Sequence, residues 1–171
     1  MTASSTGLPT ETPLDDRDAL YLREAIRWSQ VARERGNRPF GAVVVASDGR
    51  VLSEAWNCNT ETGDCTAHAE VTAIRQLAGQ ADRDTLAQAT LYSSAEPCVM
   101  CAGAIFWSNI GRVVFGIDAV RLRVFRGERA EQRDAELSCR DVFAASPHRI
   151  ECIGPALADE ASVPHEGFWL T

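Results

Sequence analysis

The sequence predicts a single α/β domain, a three-layer α/β/α sandwich around a mixed sheet of about five strands. Three observations predict it. Apolar runs of strand length alternate along the chain with segments of helical periodicity. The chain has 171 residues, 45% of them apolar, which suits one ordinary core. There is no run of about 18 apolar residues, so no membrane-spanning helix is expected.

The elements follow in order. Asp15 and Asp16 can cap a helix over 18–35, with Leu22, Ile26 and Val31 facing inward and Gly36 ending it. Residues 40–46, rich in Val and Ala, read as a buried strand. Ser47-Asp48-Gly49-Arg50 carries the Asp-Gly hairpin signal, and residues 51–57 form the returning strand. A polar loop is expected over 59–64, a helix over 66–78 and a third strand over 89–94. A second helix spans 98–108, with Gly103 allowing close packing, and a fourth strand spans 112–116. A helix is expected near 134–145 and a short strand near 149–153, before a tail interrupted by Pro and Gly. No internal repeat is visible.

Composition narrows the function classes. Residues 1–13 are polar and rich in Ser, Thr and Pro; they read as a disordered leader without a signal-peptide core, and residues 14–171 as the domain. Six cysteines without a secretory signal argue for reduced thiols, metal binding and a cytoplasmic location. The chain has no lysine, which excludes Schiff-base chemistry. A net charge of −7 opposes a main partner rich in phosphate. Arg121, Arg123, Arg126, Arg129 and Arg133 are the one candidate basic patch. They alternate with Glu128, Glu131 and Asp134, as on a solvated, salt-bridged face.

The chemistry is concentrated in His68-Ala69-Glu70 and Pro97-Cys98-Val99-Met100-Cys101. Zinc prefers tetrahedral N/S ligation, and a catalytic site keeps one position open for water. His68, Cys98 and Cys101 supply three ligands and leave the fourth free. A helix N-terminus favours the thiolate form of the two cysteines. Bound zinc lowers the pKa of water to roughly 7. Glu70, two residues past the histidine, can reach that water without ligating the metal and shuttle its proton. Backbone N–H groups near Ala69 and Cys98 could stabilise charge that develops during attack. A lone His-x-Glu or Cys-x-x-Cys is weak; the joint pattern is the signature of zinc base deaminases. The alternatives are a redox pair or a structural zinc site, for which Cys65 is the one nearby fourth ligand.

These motifs resemble the cytidine deaminase-like superfamily, in the branch holding guanine deaminases, fungal-type cytosine deaminases and tRNA adenosine deaminases. The matching stretches are residues 39–44 (PFGAVV), Trp56-Asn57, 66–75 (TAHAEVTAIR), 96–105 (EPCVMCAGAI) and 110–116 (IGRVVFG). The resemblance covers roughly residues 15–120 well and the rest loosely. It implies the α/β/α fold, one zinc ion per chain, hydrolytic loss of ammonia from a base, and a homodimer built partly from the helices around the site.

Substrate residues follow from the same resemblance. Asn57 matches an asparagine that hydrogen-bonds the base; otherwise it would cap a loop. Phe40 matches a pocket-side position, although an aromatic opening a strand is more often core. Phe106-Trp107 and residues 72–75 look like guanine deaminases, and Trp107 is a candidate pocket residue. The chain ends in 165–171 (HEGFWLT) where the tRNA enzymes have a basic helix. Two exposed aromatics at a terminus are costly unless covered. Phe168 and Trp169 are therefore expected to roof the base, and Glu166 to read a ring N–H or amino group, unless the pair simply pins the terminus. Ala95 stands where guanine deaminases often have cysteine, and Cys65 replaces a frequent proline. A second proton-shuttling carboxylate has no motif match; Asp118, Glu128 and Glu131 are its candidates.

The expectation is a zinc-dependent deaminase of a free nucleobase: guanine or a related amino-purine, a cytosine-like base or a triazine. A tRNA adenosine-to-inosine deaminase and a non-catalytic zinc-stabilised subunit are the alternatives.

Overall fold

A computed structural model of the chain describes residues 12–127 and 137–170. Helix α1 (Asp16–Glu34) opens where the sequence places its cap. The Asp15 side chain accepts the Asp18 N–H at 2.7 Å, and Asp16 and Asp18 suit the positive helix end. Strands β1 (Gly41–Val45) and β2 (Val51–Trp56) pair antiparallel across a turn whose Gly49 has φ +92°. Four short or medium helices and two strands follow: α2 (Asn59–Thr62), α3 (Ala69–Gln76), α4 (Arg83–Ala87), β3 (Thr90–Ala95), α5 (Val99–Ser108) and β4 (Arg112–Ile117). Then come α6 (Ala119–Arg126), α7 (Cys139–Ala144), β5 (Glu151–Ile153) and α8 (Ala158–Ser162). Single 3₁₀ turns at Val163–His165 and Phe168–Leu170 complete the chain.

The sheet order is β2-β1-β3-β4-β5. Strand β1 runs antiparallel to both neighbours, while β3, β4 and β5 are parallel. This is the expected mixed five-stranded sheet with helices on both faces. Side chains alternate across it as the strand pleat requires. Val43, Val45, Tyr92 and Val114 meet Leu22 and Ala25 of α1. Ala42, Val44, Leu91, Val113 and Phe115 meet Ala69, Ala73, Ala102, Ile105 and Phe143 of α3, α5 and α7. A Cβ on Gly41 would lie 2.2 Å from the Ala25 carbonyl oxygen, so α1 rests directly on the β1 backbone.

Several expected elements change. A polar loop was expected over 59–64, but its first four residues form α2. The helix expected over 66–78 starts only at Ala69. Helix α4 had no sequence prediction, although Asp82 caps it by accepting the Thr85 N–H at 2.7 Å; five residues are too few to show a period. Of the helix expected over 134–145, residues 134–136 lie outside the described residues and the helix covers Cys139–Ala144. Residues 1–11 of the expected leader also lie outside them, while Thr12 donates its N–H to the Pro155 carbonyl at 2.8 Å. Arg121, on α6, pairs with Asp159; the interleaved Glu128, Glu131 and Asp134 lie outside the described residues. Arg129 and Arg133 lie outside the described residues. Among the described residues no helix is long and apolar enough to cross a membrane.

One buried ion pair ties the layers together. Arg112 of β4 grips both oxygens of Asp18 at 2.7 and 2.6 Å, and the Tyr92 hydroxyl of β3 donates to the same carboxylate at 2.7 Å. Arg112 also reaches Glu151 of β5 at 2.8 Å. Asp18 is buried, and Arg112 holds its carboxyl below the usual carboxylate range against the opposing effect of burial. Removing the charge leaves the guanidinium without its main partner. Asp18→Asn should lower the unfolding free energy by about 2 kcal/mol at neutral pH in urea titrations. A depressed pKa contributes stability above the unfolded value, so the gap between wild type and variant should shrink as pH falls below about 4.

Candidate metal centre and active site

Helices α3 and α5 bring the metal-ligating side chains together. His68 and Cys98 are their N-caps, in extended backbone with ψ 155° and 169°. Both were expected inside the first helical turn. Each instead stands one step earlier, so its side chain reaches across to the other helix start while Glu70 and Cys101 sit within the first turns. The Nδ1 atom of His68 lies 3.5 Å from each cysteine sulfur. Tetrahedral zinc with bonds of about 2.0 Å to nitrogen and about 2.3 Å to sulfur requires N···S edges of about 3.5 Å. The three donor atoms lie within 4.8 Å of one another, and no other such trio occurs among the described residues. Cys65 stands exposed outside the cluster. A donor set of one imidazole and two thiols fits zinc and leaves one tetrahedral position open.

The three donor groups strongly perturb one another. Hydrogen bonding from Cys101, then from His68, pulls the Cys98 thiol down to about 4 despite burial. Cys101 is pushed up because Cys98 already carries the negative charge and because it is buried. The neighbouring Cys98 raises His68. A dication bound by this trio would favour the deprotonated form of both thiols and the neutral imidazole.

Glu70 is buried beside the trio. One carboxylate oxygen accepts the Ser93 hydroxyl at 3.0 Å, and the other accepts the Cys101 thiol at 3.4 Å. Burial raises its pKa above the usual carboxylate range. A carboxyl group that is fixed in place and readily reprotonated suits proton transfer in both directions.

The cavity over this floor is lined by Arg38, Phe40, Asn57, Glu96, Leu122 and Arg126 together with His68, Glu70 and Cys98. Phe40 and Asn57, two of the expected substrate residues, both line this cavity. Asn57 is buried, and its side-chain oxygen also accepts the Asn59 N–H at 3.3 Å, so it caps the loop and lines the cavity at once. Ala69 is buried at the start of α3. Trp107 is not part of the lining: it is 81% exposed on the outer face of α5, edge-on to Phe106.

The tail lies one layer behind the cavity wall. Trp169 is buried, with its ring 6.2 Å from that of Phe40 and the Arg126 guanidinium 4.9 Å above it. Its indole N–H donates to His165 Nδ1 at 3.3 Å. Phe168 is half-buried against Trp169. The Glu166 side chain is exposed, and its carbonyl, like that of Pro164, accepts from Arg33 at 2.8 Å.

Sequence reasoning missed Arg38, Glu96, Leu122 and Arg126. Arg126 was grouped with the solvated arginines, yet it turns to the cavity. Of the candidate second carboxylates, Asp118 caps α6 by accepting the Arg121 N–H at 2.7 Å, while Glu128 and Glu131 lie outside the described residues. The carboxylate that does line the cavity is Glu96. It accepts the Ser138 hydroxyl at 2.6 Å and the Ala119 N–H at 3.1 Å.

Comparison with known proteins follows the same lines. The chain is 43% identical over 160 residues to a probable cytosine deaminase of Schizosaccharomyces pombe, a match covering 94% of this chain and 97% of that protein. A structure from work on A-to-I editing by tRNA:A34 deaminases is 31% identical, with a TM-score of 0.65, covering 85% of this chain and 99% of that one. The guanine deaminase of Bacillus subtilis is also 31% identical, with a TM-score of 0.58, covering 72% and 81%. The model of the cytidine and deoxycytidylate deaminase zinc-binding region matches residues 15–117, spanning α1 to β4 with all three donor residues and Glu70. By motif, donor geometry and descent alike, the chain belongs to the cytidine and deoxycytidylate deaminase family.

Proposed function

We propose that this chain is a zinc-dependent hydrolytic deaminase of a free nucleobase. A cytosine-type aminopyrimidine ranks first, ahead of guanine, other amino-purines and triazines. One observation carries the reading: a buried carboxylate, an amide and an aromatic ring converge on a small cavity whose lining includes His68 and Cys98 of the metal-ligating trio. The full-length likeness to a probable cytosine deaminase supports the ranking. The aromatic pair that favoured guanine no longer does so, because Trp107 faces outward.

His68 Nδ1 and the sulfurs of Cys98 and Cys101 would hold one zinc ion per chain, which would supply the Lewis acidity that makes a water proton labile near neutral pH. The protein does the rest. Glu70 takes the proton released from water, passes a proton to the ring nitrogen and then protonates the leaving amine as ammonia. The Ser93 hydroxyl holds one Glu70 oxygen so that the other faces the reacting atoms. The Asn57 amide pairs with the polar edge of the ring, and Phe40 packs against its face. Trp169 and Phe168 act through Phe40 and Arg126, holding the wall rather than touching the ring; Glu166 is placed to act on the tail and not on the base. The products are the keto base and ammonia, so water supplies one oxygen and no oxidant is needed.

A second reading, tRNA adenosine deamination, is favoured by the two guanidinium groups of Arg38 and Arg126 in the cavity lining, which suit phosphate. The net charge of −7 opposes it.

We also infer a homodimer that uses α5. Val99 and Trp107 are 39% and 81% exposed on its outer face, and a Cβ on Gly103 between them would meet nothing within 4 Å. Such an apolar stripe calls for a partner.

Ammonia release from cytosine, guanine, adenine, cytidine and guanosine, measured beside inosine formation in tRNA, tests the substrate. Turnover of a free base without inosine formation is the expected result; inosine formation alone would transfer the assignment to tRNA. Glu70→Gln should keep one zinc per chain by atomic spectroscopy while kcat falls at least about 10³-fold. Trp169→Ala should keep the zinc and lower kcat/KM about tenfold by loosening Phe40 and Arg126. Trp107→Glu should halve the mass seen by sedimentation equilibrium, whereas an unchanged mass would exclude α5 as the interface.

A further inference from the structure

Two cysteines outside the active site are placed for chemistry of their own. Cys139 opens α7 and is fully buried. Cys152 lies in the edge strand β5 and is half-buried. Their sulfur atoms are 3.6 Å apart, and a disulfide needs about 2.05 Å. The sulfurs must therefore close by only about 1.5 Å, between a helix of six residues and a strand of three at the sheet margin.

The surroundings distinguish the two sulfurs. Arg140 directs a guanidinium N–H to the Cys152 sulfur at 3.2 Å, and its other nitrogen donates to the Gly154 carbonyl. Its carbon also lies 5.0 Å from the centre of the Phe115 ring, so the cation is fixed from several directions. Cys139 and Arg140 favour the thiolate of Cys152, whereas burial and the adjacent Cys152 hold Cys139 as a thiol. Cys152 also lines a surface groove of about 860 Å³ with Arg140, Arg149 and Phe143. One sulfur is thus activated and reachable from solvent, and the other waits behind it.

We propose that Cys152 and Cys139 form a thiol–disulfide exchange site whose substrate is a small, carboxylate-bearing disulfide of the oxidised glutathione type. The Cys152 thiolate attacks one sulfur of that disulfide. The S–S bond of the reagent breaks and one thiolate leaves, so Cys152 becomes a mixed disulfide lying in the groove. Arg140 and Arg149 line the groove on which the bound half's carboxylates would rest. Cys139 then loses its proton to solvent and attacks the Cys152 sulfur. The second small thiolate leaves, and the Cys139–Cys152 disulfide remains. Overall, two protein thiols are oxidised and one small disulfide is reduced to two thiols. Disulfides of this kind in reducing compartments are transient or sensing ones.

The test uses the zinc-loaded protein, so that Cys98 and Cys101 stay ligated, with oxidised glutathione as the probe. Peptide mapping by mass spectrometry is expected to find Cys139 joined to Cys152, with Cys152 reacting at least about tenfold faster than exposed Cys65. Cys139→Ser should stop the reaction at a glutathione adduct on Cys152. Cys152→Ser should leave Cys139 unmodified while the protein stays folded, and wild-type mapping decides the matter should Cys139→Ser fail to fold. Glutathione on Cys65 alone, or equal rates at Cys65 and Cys152, would overturn the proposal. Neither readout depends on deaminase turnover, so the result stands apart from the substrate assignment.

Discussion

Two helices must begin at the same point in space, and the rest of the structure is arranged around that requirement. His68 and Cys98 end extended segments at the starts of α3 and α5, and each start presents N–H groups without intrahelical partners and a positive dipole end. The Cys98 thiolate is favoured there, and a metal would need it. The two helices come this close because small residues separate them: Ala69, Ala73 and Ala102 are all fully buried in the shared core. A larger side chain at any of these positions would widen N···S edges that now measure 3.5 Å. The parallel β3-α5-β4 unit fixes the second helix, and the antiparallel β1–β2 pair places Phe40, just before β1, and Asn57, just after β2, at the same end of the sheet.

Much of this was legible in the chain because it is local. The Asp15 cap, the Asp-Gly turn and the Val-rich run of β1 each carry their signal within a few residues. The spacing of His68, Glu70, Cys98 and Cys101 works the same way: each pair sits on one helix start, so a short motif reports a spatial fact. The walls of the cavity were not legible. Arg38, Glu96 and the α6 pair Leu122 and Arg126 come from three separate segments, and no single motif joins them. Helices α2 and α4 are too short for a hydrophobic repeat to develop. Trp107 was misplaced for another reason, since helix spacing reveals that a face is apolar but not whether its partner is a ligand or a protein surface. The aromatic terminus was read correctly as needing cover, but what covers it, Phe40, His165 and Arg126, could be seen only in three dimensions.

The cavity explains how an acidic protein can hold cations close to its chemistry. Arg126 lies over two aromatic faces, and its guanidinium is worth more there than in bulk water. His165, beneath it, stays neutral because burial pulls its pKa down to about 3. A charged imidazole at this place would repel both Arg126 and Arg33, which the tail needs. The last turn of the chain is thus neutral inside and anchored outside by two carbonyls on Arg33.

Glu96 joins two distant parts of the chain at one side chain. Its two oxygens hold the first residue of α6 and the residue that caps α7, and it stands two positions before Cys98. The excursion from Ala119 to Ser138 therefore leaves from and returns to a single carboxylate. Leu122 and Arg126 of the wall belong to that excursion; His68, Cys98, Cys101 and Glu70 do not. Substitutions at Leu122 or Arg126 would therefore reshape the wall without displacing a metal ligand, so long as the two anchoring contacts persist. The part of the wall that meets a substrate is in this way separable from the part that would hold the metal.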